Sequence, residues 1–267
     1  MNKDTYLNYN LKNGILIRWP EQCFPLPVYI APCTFYSMTS NDKYAYTNMI
    51  IDALNTWEAA CNGIFSFTLA NSLQESQMNV VWRRVDRKSL GHCEYNYDNE
   101  IRLYSAEVSI GISDGLLHRQ YTDENEVFHT ILHEIGHAIG LGHSPYPEDI
   151  MYTPHQYGVV KLSERDIETA KWLYNFPLGS SATSLNATYS TSYNDIDDIV
   201  MKIKQGGVTS QFQKTLNNLN YKSSRSLEED QKKLEQMKKF ELSIQNVRLP
   251  KEIADKFKDM NQTSDGK

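Results

Sequence analysis

Several things are scarce in this chain, and each scarcity excludes something. Its 267 residues hold only four cysteines, Cys23, Cys33, Cys61 and Cys93, too few and too scattered for a disulfide framework. Cys23 and Cys33 are near enough in sequence to pair in an oxidising compartment, but reduced thiols are the expectation. No apolar run approaches the roughly 18 residues that a membrane span needs. Positive charge is in deficit, with 27 Lys and Arg against 33 Asp and Glu, a formal net charge of −6. Nucleic-acid surfaces normally need a basic patch, so nucleic acid is not an expected partner. The opening "MNKDTYLNYNLKNG" has no apolar core and no small-residue cleavage site of the kind a secretory leader carries. A cytoplasmic location is therefore expected, with export by an unrecognised route left open.

What is present reads as an ordinary globular chain, 40% hydrophobic and 22% charged. That length suits one sizeable core or a core with an appendage. "GILIRW", "LPVYIA", "IFSFTLA", "MNVVWRRV" and "EIRLYSAEVSIGI" read as strands. In "YTNMIIDALNTWEAACNG", Ile50, Leu54, Trp57 and Cys61 share one helical face, and Gly63 offers a left-handed stop. A second helix starts near Asp123, with Glu124 and Glu126 in its first turn where the dipole favours them. A third, "LSERDIETAKWLYNF", takes Ser163 as N-cap. Strands mixed with helices in this order make an α+β domain.

Composition changes after Pro177. The Ser/Thr/Asn-rich run that follows reads as a linker, so the expected organisation is an N-terminal extension (1–13), a catalytic domain (14–177), a linker (178–194) and a helical, partly disordered C-terminal segment (195–267). In that last segment Ile196, Ile199, Val200 and Ile203 make one apolar stripe, and Met237, Phe240, Ile244 and Val247 make another. Packing on itself or on the core is the plainer reading; partner binding or autoinhibition over a cleft is the sharper one.

The chemistry is concentrated in "HEIGHAIGLGHS". On a helix His133 and His137 differ by only roughly 40° about the axis, so both can reach one ion, while Glu134 is turned by roughly 100° and stays beside it. His143 would be roughly 240° away if the helix continued. The chain must break, and Gly140 is where positive φ comes without a Cβ clash. Three imidazoles with an open position suit catalytic Zn²⁺, although copper or nickel would also accept imidazole. His129, one turn earlier, is expected to pack rather than ligate, and His155 to sit at a rim. Tyr152 and Tyr157 are expected as pocket walls.

These residues resemble a known family. "HEIGHAIGLGHS" followed by "EDIMY" is similar to the extended zinc signature and Met-turn of the metzincins, and Ser144 with the short distance to Met151 points to the matrixins, the matrix-metalloproteinase-like branch. The resemblance covers roughly residues 14–177. It implies a twisted mixed β-sheet with an active-site helix and a C-terminal helix, and one catalytic zinc on His133, His137 and His143. Glu134 would be the catalytic base and Met151 a floor that does not ligate. It implies that "SLGHC" is an edge strand along which a peptide or protein substrate lies extended, with Gly91 and His92 at the cleft. Pro154 and Tyr157 would wall the pocket for the residue after the scissile bond, one residue more widely spaced than in the family. Asp166 would brace the Met-turn.

Departures from the family pattern carry expectations of their own. His92 matches a structural-zinc ligand of animal members, but that site's other ligands and the glycine-rich calcium loops are not recognisable, so neither a second zinc nor calcium is indicated. No cysteine sits in a Pro-Arg-Cys-Gly context. Arg165 stands where animal members carry an aspartate that receives a freed N-terminus. Together these fit a minimal enzyme that is not activated by N-terminal processing. Two rival readings remain: a non-catalytic binding module on the same fold, which an intact Glu134 speaks against, and a hydrolase of a non-peptide amide.

Overall fold

The computed structural model describes residues 3–33, 40–84, 90–112 and 123–207, without the side chains of 40–45. A short hairpin comes first, β1 (Leu11–Lys12) antiparallel to β2 (Ile15–Leu16). The main sheet contains β3 (Leu26–Ile30), β4 (Phe67–Leu69), β5 (Met78–Arg84), β6 (Gly91–Tyr97) and β7 (Leu103–Ile112). Its order is β4-β3-β5-β7-β6. Four strands run parallel, and β6 alone pairs antiparallel, with β7. The helices are α1 (Ser40–Ala60), α2 (Glu124–Ala138), α3 (Glu164–Asn175), α4 (Ala182–Tyr189) and α5 (Ile196–Lys202). This is the mixed α+β architecture that the strand and helix patterns imply.

The periodicities explain the layers. On β7, Leu103, Ala106, Val108, Ile110 and Ile112 are buried, and on α1 the face of Ile50, Ala53, Leu54 and Trp57 is fully covered. Trp57 Nε1 donates to Leu132 O at 3.0 Å, pinning α1 to α2 with a bond that also spares a buried indole N–H. Helix α2 lies against β6 and β7, so the histidine helix runs beside the antiparallel edge of the sheet.

The structure corrects the expected boundaries. "GILIRW" contributes only two residues of strand, paired with β1, and touches the main sheet through a single parallel bridge from Arg18 to Arg102, just ahead of β7. The described part of the stretch 1–13, from Lys3 on, is not a loose extension: Tyr6 and Leu7 are buried in the core, and Leu7–Asn10 form a 3₁₀ turn. Nor is 178–194 an unstructured linker. Ser181 closes a capping box with Ser184 at the head of α4, and Leu185 is buried. Its Ser, Thr and Asn content serves caps and turns, which composition alone cannot distinguish from disorder. The first apolar stripe beyond it, Ile196, Ile199, Val200 and Ile203, joins the same core. The second, from Met237 to Val247, lies outside the described residues. Cys23, Cys61 and Cys93 are free thiols.

Candidate metal centre and substrate cleft

The helix carrying the histidines is fixed at both ends. Asp123 caps α2 by accepting from Asn125 N at 2.8 Å. At the far end Gly140 has φ +99°. Leu141 N donates to Gly136 O and Gly140 N to His137 O, both at 2.9 Å, a Schellman stop. Trp19 Nε1 and the Tyr174 hydroxyl donate to the Ala138 and Ile139 carbonyls at 2.8 Å, satisfying acceptors that a helix end leaves open. A Cβ on Gly140 would meet Ile17 O at 2.6 Å, so both φ and space require glycine there.

Past that stop the chain returns and His143 joins His133 and His137, one nitrogen from each lying within 4.8 Å of the other two. His133 Nδ1 is 2.7 Å from Ile150 O, and His137 Nδ1 is 2.8 Å from Leu141 O. A carbonyl can only accept, so each Nδ1 carries a proton and each Nε2 keeps its lone pair. Burial also lowers the pKa of all three: His133 well below the usual value, His137 to about 4, and His143 in the same direction. The neighbouring imidazoles add to the effect at His133 and His137. The Nε2 atoms of His137 and His143 are 3.1 Å apart, and two lone pairs at that distance repel unless a cation or a proton lies between them. Three neutral imidazoles with no carboxylate among them fit a borderline divalent ion such as Zn²⁺.

Glu134 is 6% exposed and sits under β6. A Cβ on Gly91 would come within 2.6 Å of its Cγ and Oε1, so the glycine is what lets the strand lie over the carboxylate. Burial pushes Glu134 up to about 8, with Arg83 pulling the other way. A dication at the histidine cluster would also favour the ionised form.

The cluster opens into a cleft of about 630 Å³. Gly91, His92, Glu134, His133, His137, His143, Tyr152 and Pro154 all line it, but Tyr157 does not. Tyr157 is 57% exposed with its ring against His155 at 4.9 Å. The extra residue in "TPHQY" thus gives the lining position to His155. His92 points its Nε2 toward Glu94 at 3.4 Å and is mostly exposed.

Below the cluster, Met151 is fully buried, and a Cβ on Gly136 would meet its sulfur at 2.3 Å. Asp166, also fully buried, accepts from Ile150 N (2.8 Å), Ser163 N (2.9 Å) and the Tyr6 hydroxyl (2.8 Å). Because Ile150 O is the acceptor for His133 Nδ1, the carboxylate orients that imidazole through one residue of backbone. Arg165 lies alongside, donating to Asp149 at 2.8 Å and to Lys3 O at 3.0 Å.

Some contributors escaped sequence reasoning. Glu126 does not serve only the helix dipole: it is buried, with Oε2 2.6 Å from His155 Nε2 and Oε1 accepting from Gly158 N at 3.0 Å. His129 packs edge-on against His155 with ring centroids 4.1 Å apart. Tyr9, Asn10 and Lys12 also line the cleft. Only Gly136 had a visible signal, a glycine inside a helix that otherwise costs roughly 1 kcal/mol.

Comparisons with known proteins bear on this arrangement. The family model described as Matrixin matches residues 32–175, just over half of the chain. A probable matrix metalloproteinase, 095L, of Invertebrate iridescent virus 3 is 40% identical over 76 residues, 27% of this chain and 20% of that protein. A putative matrix metalloproteinase of Trichoplusia ni ascovirus 2c is 27% identical over 157 residues, 52% of this chain and 31% of that protein. The matched part therefore spans less than a third of either viral relative.

Proposed function

The chain belongs to the matrixin family, and from that premise we propose that it is a zinc-dependent endopeptidase acting on extended peptide segments. The observation that carries the reading is the trio of imidazoles, two of them holding their outward nitrogens as acceptors through carbonyl partners at Nδ1, gathered beside a buried carboxylate in one open cleft. His133, His137 and His143 would hold zinc through Nε2, and His133 and His137 are oriented for it by the Ile150 and Leu141 carbonyls. When bound, the ion supplies Lewis acidity that brings water's pKa toward about 7 and stabilises negative charge on the scissile carbonyl oxygen.

The rest falls to the chain itself. Glu134 accepts the proton of the attacking water at its carboxylate and passes it to the amide nitrogen as the C–N bond breaks. Strand β6 closes the sheet on the cleft side, and its outer edge offers N–H and C=O groups to a substrate main chain. Gly91 keeps that strand close to Glu134, and His155, Pro154 and Tyr152 form the facing wall.

The test is hydrolysis of a quenched-fluorescent peptide library, with and without a zinc chelator, beside Glu134→Ala whose zinc content is measured. Chelator-sensitive cleavage should fall roughly 10²–10⁴-fold in the zinc-loaded variant. A zinc-loaded wild type that cleaves nothing would sink the reading and favour a binding module.

A further inference from the structure

Residues outside the family match, on both sides of it, support the histidine cluster. The match begins at residue 32 and ends at 175, yet the segment from Lys3 to Lys12 threads between α5 and the bend that carries His143. From the α5 side, Asp197 is 2% exposed and accepts three hydrogen bonds from this strap. They come from the Thr5 hydroxyl and Leu7 N at 2.7 Å, and from Asn8 N at 3.3 Å. Toward the cleft, Asn10 Oδ1 accepts from Gly142 N at 3.0 Å. The contact is close: a Cβ on Gly142 would meet Tyr9 O at 2.2 Å.

One peptide group explains why this matters. The unit joining Leu141 to Gly142 accepts from His137 Nδ1 through its oxygen and donates to Asn10 through its nitrogen. His143 is the next residue. Hydrogen bonds on both ends of a peptide group fix its plane, and each bond polarises the other. Partners outside the ligand set commonly account for 10–100-fold in metal affinity.

We propose that Asn10 is a positioning residue of the metal site, setting His137 and His143 through the 141–142 peptide, and that Asp197 anchors it from α5. The proposal rests on the reading of the histidine cluster as a zinc site. It makes the N-terminal strap and α5 working parts of that site, so an event that moves α5 reaches His143 through ten residues or so of strap.

The test measures Zn²⁺ affinity by competition with a chromophoric chelator, and the visible spectrum of Co²⁺-loaded protein, in the full chain. Asn10→Ala should weaken Zn²⁺ binding by about 10-fold or more and alter the cobalt spectrum. Asp197→Ala should act in the same direction more weakly. Asn10→Asp keeps the acceptor for Gly142 N and should hold at least wild-type affinity. Val28→Ala, a core change in β3 far from the strap, should lower Tm without touching either readout. Wild-type affinity in a folded Asn10→Ala would overturn the proposal, as would equal losses in Asn10→Asp or in Val28→Ala. A wild type that takes up no Zn²⁺ at all would overturn the zinc reading and this proposal together, which separates the two failures.

Discussion

Gly136 shows how one residue can decide the site. It lies mid-helix between Glu134 and His137, where glycine gives up helix propensity, and the loss is explained by Met151, whose sulfur occupies the space a Cβ would need. Gly136→Ala should therefore overpack this floor, lowering stability by about 1–3 kcal/mol and moving the helix turn that holds two imidazoles. Differential scanning calorimetry together with zinc titration checks it; an alanine variant with unchanged Tm and unchanged zinc affinity would show that the methionine yields freely. Glu126 makes a second case. Its two oxygens hold His155 and Gly158 N, so Glu126→Ala should loosen the wall segment 155–158 and leave the histidine cluster intact. The expected outcome is a raised KM with a smaller change in kcat, read with any peptide the wild type cleaves; a kcat loss with constant KM would place Glu126 in the chemistry instead.

At the scale of elements, α4 is the place where the sequence misleads. If residues 178–194 were a tether, shortening a side chain there would cost little. Leu185 is instead buried in the same cluster as the sheet and α2, together with Ile199 of the apolar stripe on α5. Leu185→Ala and Ile199→Ala should each destabilise the protein by about 2–5 kcal/mol in urea unfolding, and a chain ending at 177 should expose Leu7 and the strap. The contrast marks what was legible. The histidine helix announces itself through spacing, the Gly140 stop through the need for His143 to return, and the head of α3 through Ser163 as its N-cap; each is a local rule. The strap was not legible, because Asn10 meets Gly142 and Thr5 meets Asp197 across very long sequence separations, and no local pattern reports such a pairing. The same holds for Tyr157, where a one-residue lengthening turned one ring out and another in.

At the scale of the whole molecule, the two ends of the folded unit are tied through Asp197, and this has a consequence for stability against pH. Burial pushes this carboxyl up to about 6, against the pull of its hydrogen bonds from Thr5, Leu7 and Asn8. Asp195 adds to the rise, and Lys3 pairs with Asp195 at 2.5 Å and with Asp198 at 3.1 Å. In the unfolded chain an aspartate titrates near 3.9. Between about pH 4 and pH 6 the folded state thus binds more protons at this site than the unfolded state, so the contribution of Asp197 is fully present below about pH 4 and is lost as pH rises through about 6. Other carboxylates titrate over the same range, so the difference between wild type and Asp197→Asn isolates the term. The stability advantage of wild type over that variant should shrink by at most about 1.4 kcal/mol per pH unit from pH 4 to pH 6, then stay level to pH 8. Denaturant unfolding of both proteins at closely spaced pH values measures it. A difference that is flat across the window would mean that the three donors hold the folded carboxylate at its ordinary pKa, and one that grows with pH would mean that they depress it.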